Sequence, residues 1–204
     1  MSDPDQKLVE ACQASTGAEF EEAYRQLFAL YQDRVYTICL RVTGSNEDAL
    51  DAAQETMVTL ANRIHEFAFR SRFSSWVYRI AVNAAIDTRR RRLDAPHGAV
   101  RTTFGGSSDE RSLEQAVADP GHADPVGEVS RAESRQLLQD ALARLNPKVS
   151  SLLVLRYVEG LSYEQIAETL DISLGTVKSR LNRAHAALRE FLHHQGLDSL
   201  DPSP

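Results

Sequence analysis

Residues 161–188, LSYEQIAETLDISLGTVKSRLNRAHAAL, constrain the fold more than any other stretch of the chain. Ser162, with Gln165 three places on, has the pattern of a capping box, in which two side chains satisfy backbone N–H groups at a helix start. A first helix then runs from about 163 to 170, with Ile166, Ala167 and Leu170 on its inward face. Asp171-Ile172-Ser173 reads as a turn, Ile172 plugging the corner. Ser173 caps a second helix carrying Val177, Leu181, Ala184 and Leu188 at three- and four-residue spacing. Its outward face holds Thr176, Lys178, Ser179, Asn182 and Arg183, which can donate to phosphate oxygens and major-groove base edges. A capping box, a three-residue turn, a small inward alanine and a basic second helix together favour a DNA-binding helix-turn-helix over a solvated hairpin.

A net charge of −6 is at odds with binding a polyanion until its distribution is considered. Residues 1–69 hold twelve acids against five bases, and residues 102–140 hold eight against three. Between them, residues 70–101 hold eight bases against two acids. The expectation is local contact with nucleic acid and a different partner for the acidic faces. No apolar run approaches the ~20 residues of a membrane span, and the N-terminus has no signal-peptide pattern, so a cytoplasmic protein is expected. Cys12 and Cys39, without a CxxC or a neighbouring His, read as free thiols. No metal site or cofactor is expected, and His193-His194 reads as surface.

The rest of the chain is helical in pattern. Residues up to about 16 are polar and expected to fray, although Leu8, Val9 and Ala11 could begin a helix. Residues 20–42 form a long amphipathic helix that Gly44 stops. Ser45 or Asn46 caps the next, whose buried stripe is Ala49, Ala52, Ala53, Met57, Leu60, Ala61 and Ile64. Asp51, Gln54 and Glu55 lie on another of its faces, either as solvated surface or as a docking patch. The stretch 67–75, FAFRSRFSS, places aromatics beside arginines, as stacking on single-stranded bases requires. Alternatively Phe67, Phe69 and Phe73 tuck into the core. Ser74 or Ser75 caps a third helix, 76–92, with a polar stripe of Arg79, Asn83, Asp87 and Arg90 that ends in four arginines. Residues 95–129, rich in Pro, Gly and acids, read as a flexible linker. Residues 130–145 are helical, and Asn146 with Pro147 starts a further helix that ends at Gly160.

The expected fold is therefore all-α, two small helical domains joined by a flexible linker: 18–94, the linker 95–129, and 130–193. This organisation resembles the extracytoplasmic-function group of bacterial sigma-70 factors. LNPKVSSLLVLRYVEGLSYEQIAETLDISLGTVKSRLNRA follows the family pattern nearly end to end, DAAQETM is similar to its DLVQETF, and FSSWVYRIAVNAAIDTRRRR to its promoter-melting region. The chain departs from the pattern at Met57, usually Phe, and Ala52, usually Leu. FAFRSRF also lacks the family's Gly-Asp turn. Asp171 stands where Gly is commonest, but Asp tolerates the left-handed conformation this turn needs.

The resemblance implies a sigma region 2 bundle and a sigma region 4 helix-turn-helix. It implies that Asp51, Gln54 and Glu55 dock on the β′ clamp helices of core RNA polymerase, with the β flap as a second polymerase contact. Phe67, Arg70, Arg72, Arg79, Asn83, Arg89 and Arg90 would serve the −10 element, and the arginine run 89–92 would follow the DNA backbone. Ser173, Thr176, Lys178, Ser179, Asn182 and Arg183 would read the −35 element of promoter DNA. An anti-sigma factor is an implied partner, and no catalytic residue is implied. A helix-turn-helix regulator that is not a polymerase subunit leaves the D-x-x-Q-E patch and the aromatic, basic third helix unexplained. A nuclease would need a metal-binding cluster that the sequence lacks.

Overall fold

The computed structural model describes residues 5–94, 137, 139, 141, 142 and 145–194, with no strand among them. Helices α1 (Gln6–Ala14), α2 (Gly17–Thr43), α3 (Asn46–Arg63) and α4 (Phe73–Asp94) form one unit. Helices α5 (Pro147–Leu153), α6 (Tyr163–Leu170) and α7 (Leu174–His194) form the other. The assignment of 95–129 to a linker lies outside the described residues. Of the helix expected over 130–145, Leu137, Gln139, Ala141 and Leu142 are described, and they are helical.

In the first unit, α2 buries Ala23, Leu27, Tyr31, Val35, Ile38 and Val42, a spacing of three and four that keeps one face inward. Gly44 stops it in the left-handed conformation, its N–H reaching the Leu40 carbonyl at 2.9 Å. Ser45, not Asn46, is the cap of α3. Ala49 and Ala52 are fully buried, and their small side chains bring α3 close to its neighbours. Thr56 shares that face, its hydroxyl donating to the Ala52 carbonyl at 2.7 Å.

Two expectations are corrected here. The N-terminal stretch is the ordered helix α1, because Val9 and Cys12 are fully buried. Helix α4 begins at Phe73 rather than Trp76, and Ser74 and Ser75 lie in its first turn. Burial of the Phe73 ring draws the helix start back, and the Arg72 carbonyl accepts from the Trp76 N–H.

In the second unit the Asn146 side chain accepts from the Lys148 N–H at 3.0 Å, with Pro147 at the first helical position. Residues Val154–Val158 then form a π turn not foreseen from the sequence. Its backbone shows the wider ring, Glu159 N–H to the Val154 carbonyl at 3.2 Å. Leu152, Leu153, Val154 and Leu155 are all buried, more than one helix face can supply. Both bonds of the capping box form at α6, Gln165 N–H to Ser162 Oγ at 3.2 Å and Ser162 N–H to Gln165 Oε1 at 2.7 Å. Asp171 takes φ 52° at the turn, and Ser173 Oγ accepts from the Thr176 N–H at 3.1 Å to start α7. Thr169 is buried beside Ile166, while Ala167 and Leu170 are only half covered.

The excess burial is explained by the packing of one unit on the other. Tyr78, Val82, Ala85 and Arg89 of α4, at i, i+4, i+7 and i+11, are all buried. Arg89 donates to the Val42 carbonyl at 3.0 Å and to the Leu145 carbonyl at 3.1 Å, so it bridges the two units. Gln139 accepts from Arg41 at 3.0 Å and donates to the Leu40 carbonyl at 2.9 Å. Glu159, just after the π turn, lies near the Tyr78 hydroxyl, which acts on its carboxyl. Arg34 in turn donates to that hydroxyl at 3.4 Å.

Burial lifts the Glu159 carboxyl above its ordinary value, outweighing the downward pull of Tyr78 and Arg34. A carboxyl whose pKa is higher in the docked state takes up a proton on docking. Its contribution is therefore full below the ordinary carboxylate range and is lost as pH rises through the raised value. Glu159→Gln, which cannot ionise, should remove this dependence. A distance probe spanning α4 and the π turn should show the docked fraction falling with rising pH for the wild type and flat for the variant. Ser162→Ala removes one bond of the capping box and should cost about 1 kcal/mol, read as a lower urea midpoint.

Candidate nucleic-acid and polymerase interface

Helix α7 is amphipathic because Val177, Leu181 and Ala184 are fully buried against the second unit. That burial sets the opposite face, where Lys178, Ser179, Asn182 and Arg183 are exposed and Thr176 is partly so. Ser173 is committed to capping, and its hydroxyl also meets that of Thr176 at 2.8 Å. Arg183 folds back, its Nε donating to the Ser179 carbonyl at 3.3 Å. The face therefore presents one ammonium, one guanidinium, an amide and hydroxyls within three helical turns, a donor set suited to groove edges and phosphates.

On α3, Asp51, Gln54 and Glu55 are exposed on one face. Leu50 and Val58, each 53% exposed, flank them. An acidic and amide centre with apolar edges is a surface that can bind a basic, partly apolar partner. Part of it is already engaged: Arg91 pairs with Glu55 at 3.0 Å and Arg92 with Asp48 at 2.7 Å. These exposed pairs contribute little stability, but they turn two of the four arginines away from the direction expected for them. The four thus divide. Arg89 is buried between carbonyls, and burial lowers its pKa. Arg90 lies exposed beside Asp87 at 3.4 Å.

The α3–α4 loop departs furthest from the sequence reading. Phe67 is buried, its ring 5.3 Å from both Phe73 and Trp76. Phe69 is instead the exposed ring, 40% accessible, held edge-on to Phe67 at 5.0 Å. It takes φ 54°, uncommon for any residue with a side chain. Arg70 and Arg72 are exposed beside it, Asn83 is exposed on α4, and Arg79 is half-buried. Phe69 was missed as a site candidate because three aromatics at short spacing carry no signal of which one points outward. Leu50 and Val58 could have been found, since both lie on the helical face of Asp51 and Glu55.

Among the described residues no group of His, Cys, Asp and Glu could hold a metal. No helix among them is long and apolar enough to cross a membrane. Burial pushes the Cys39 thiol up to about 12, which leaves it protonated and unreactive.

Comparison with known proteins matches residues 27–93 to sigma-70 region 2 and residues 135–188 to sigma-70 region 4. The chain is 33% identical to the ECF RNA polymerase sigma factor SigW of Bacillus subtilis, over 84% of this chain and 90% of that one. It is 32% identical to the ECF RNA polymerase sigma-E factor of Haemophilus influenzae, over 88% and 90% respectively. The fold resembles that of CnrH, solved in complex with the cytosolic domain of CnrY, with a TM-score of 0.62 at 20% identity, covering 93% of this chain and 97% of that one. It also resembles RpoE from Bartonella quintana, solved with the anti-sigma factor NepR, with a TM-score of 0.60 at 21% identity, covering 83% and 96%. Two matched regions and full-length relatives lead to one conclusion: the chain belongs to the ECF sigma factors of the sigma-70 family and directs transcription initiation.

Proposed function

We propose that this chain divides initiation among three surfaces. The outer face of α3, centred on Asp51, Gln54 and Glu55, docks on core RNA polymerase. The α3–α4 loop with Arg70, Arg72, Arg79, Asn83 and Arg90 holds the melted downstream promoter element, Phe69 rather than Phe67 supplying the exposed ring. The exposed face of α7, through Lys178, Ser179, Asn182 and Arg183, reads the upstream element in the major groove. The observation that carries this reading is the separation of chemistries. The acidic face of α3 and the donor face of α7 are each held outward by a buried opposite side.

The division into 18–94, a linker and 130–193 follows from the same reading, with α1 packed on the outside of the first unit. Stacking exposed bases at about 1–3 kcal/mol each offsets the cost of opening a few base pairs. The polymerase supplies the chemistry of synthesis, and this chain supplies affinity and register in the cytoplasm. The structures of CnrH with CnrY and of RpoE with NepR support an anti-sigma partner that competes for these faces.

The test is run-off transcription with core polymerase alone. Specific initiation is expected, and DNA binding without core binding would contradict the proposal. Exchanging Asp51 and Glu55 for Lys should abolish core binding while upstream duplex binding persists; unaltered core affinity would remove the docking assignment. Arg183→Ala should cost about 1–3 kcal/mol of promoter affinity with core affinity retained, measured by titrating labelled duplex with holoenzyme.

A further inference from the structure

The N-terminal helix α1 has no part in the three surfaces just assigned, yet it is built into one of them. Val9 and Cys12 fix α1 on the core, and Gln13, the residue after Cys12, sits over the end of α3. Its Nε2 donates to the Ile64 carbonyl and to the Phe67 carbonyl, each at 2.8 Å. A side-chain amide nitrogen carries two hydrogens, so both donors are used.

Those two carbonyls bracket the 3-10 turn Ile64–Glu66, which the Phe67 N–H closes onto the Ile64 carbonyl at 3.1 Å. Gln13 therefore ties both ends of the turn from outside it. The other end of α1 is tied to the same region. Asp5 accepts from the Tyr31 hydroxyl, and the Tyr31 ring meets Phe73 edge-on at 5.6 Å.

What lies downstream of the turn gives this grip its meaning. Phe69, two residues after the clamped Phe67 carbonyl, holds a left-handed backbone and an exposed ring. Such a conformation persists only where the surroundings over-determine it. The Phe67 ring packs against Phe69 at 5.0 Å, and Gln13 fixes the Phe67 backbone. A chain of contacts thus runs from α1 through Gln13 and Phe67 to Phe69.

We propose that Gln13 is a positioning residue for selection of unpaired promoter bases, and that α1 braces the loop that binds them. The proposal rests on the reading of the α3–α4 loop as the base-binding element. Without the clamp the turn keeps its own hydrogen bond but loses its anchor. Phe69 then samples other positions, and bases are stacked with less discrimination.

The experiment uses the full chain with bacterial core polymerase on a promoter library randomised at both elements, the transcripts being sequenced. Gln13→Met, isosteric and without donors, and Gln13→Glu, which replaces donors by acceptors, should each lower discrimination at the unpaired downstream positions about tenfold. Upstream discrimination and core affinity should stay unchanged. Gln13→Lys, whose ammonium can donate to two carbonyls, should recover most of the loss. A purely structural role would reduce the active fraction and depress all transcripts equally. Undiminished discrimination in Gln13→Met therefore overturns the brace, as does failure of Gln13→Lys to restore it. Phe69→Ala separates the two levels. If it lowers discrimination and Gln13→Met does not, the loop reading stands and the brace falls. If neither does, the loop reading falls and takes the brace with it.

Discussion

The structure depends on the burial of α4 around most of its circumference. Trp76, Val77, Tyr78, Ala81, Val82, Ala84 and Ala85 are all inside. A helix so enclosed contributes about 1.5–3 kcal/mol for each large apolar side chain it removes from water. It also leaves little surface for anything else. Arg79, Asn83, Asp87 and Arg90 form the narrow polar strip that remains, and its position follows from packing on all other sides. The helix proposed to contact the melted promoter element is thus also a central beam of the fold, which would tie promoter contact to rigidity.

The second dependence is on helix ends. Gly44, Ser45, Asn146, Ser162, Asp171 and Ser173 each stop or start a helix through a local bond or a left-handed residue. These are interactions within four residues, so they are visible in the sequence, and the helix-turn-helix was legible almost residue by residue. The all-α class and the outward face of α7 followed from the same short-range pattern.

What was not legible depends on distant partners. Helix α1 is ordered by burial of Val9 and Cys12 on the core and by bonds from Gln13 to carbonyls more than fifty residues away. No local propensity records this. The choice between Phe67 and Phe69 as the exposed ring is made by Phe73 and Trp76 around them, and a pattern of spaced aromatics is silent on it. The fate of the arginine run was hidden for the same reason. Asp48 and Glu55 lie across the groove from Arg91 and Arg92, and the Val42 and Leu145 carbonyls wait for Arg89. Four identical neighbours have different fates because each points in a different direction from one helix.

Arg89 carries a consequence for affinity. The guanidinium N–H groups that hold the Val42 and Leu145 carbonyls are not available to a phosphate oxygen, so a DNA-backbone contact that used them would have to release this bridge between the units. A polyanion that took those groups would draw on molecules in which the bridge is open, and would shift the balance by its preference for that form. The apparent binding constant is reduced by the fraction of molecules already open. Weakening the contacts between the units, at Glu159 or Gln139, would raise that fraction and so tighten a backbone contact through Arg89 without adding a single contact to DNA.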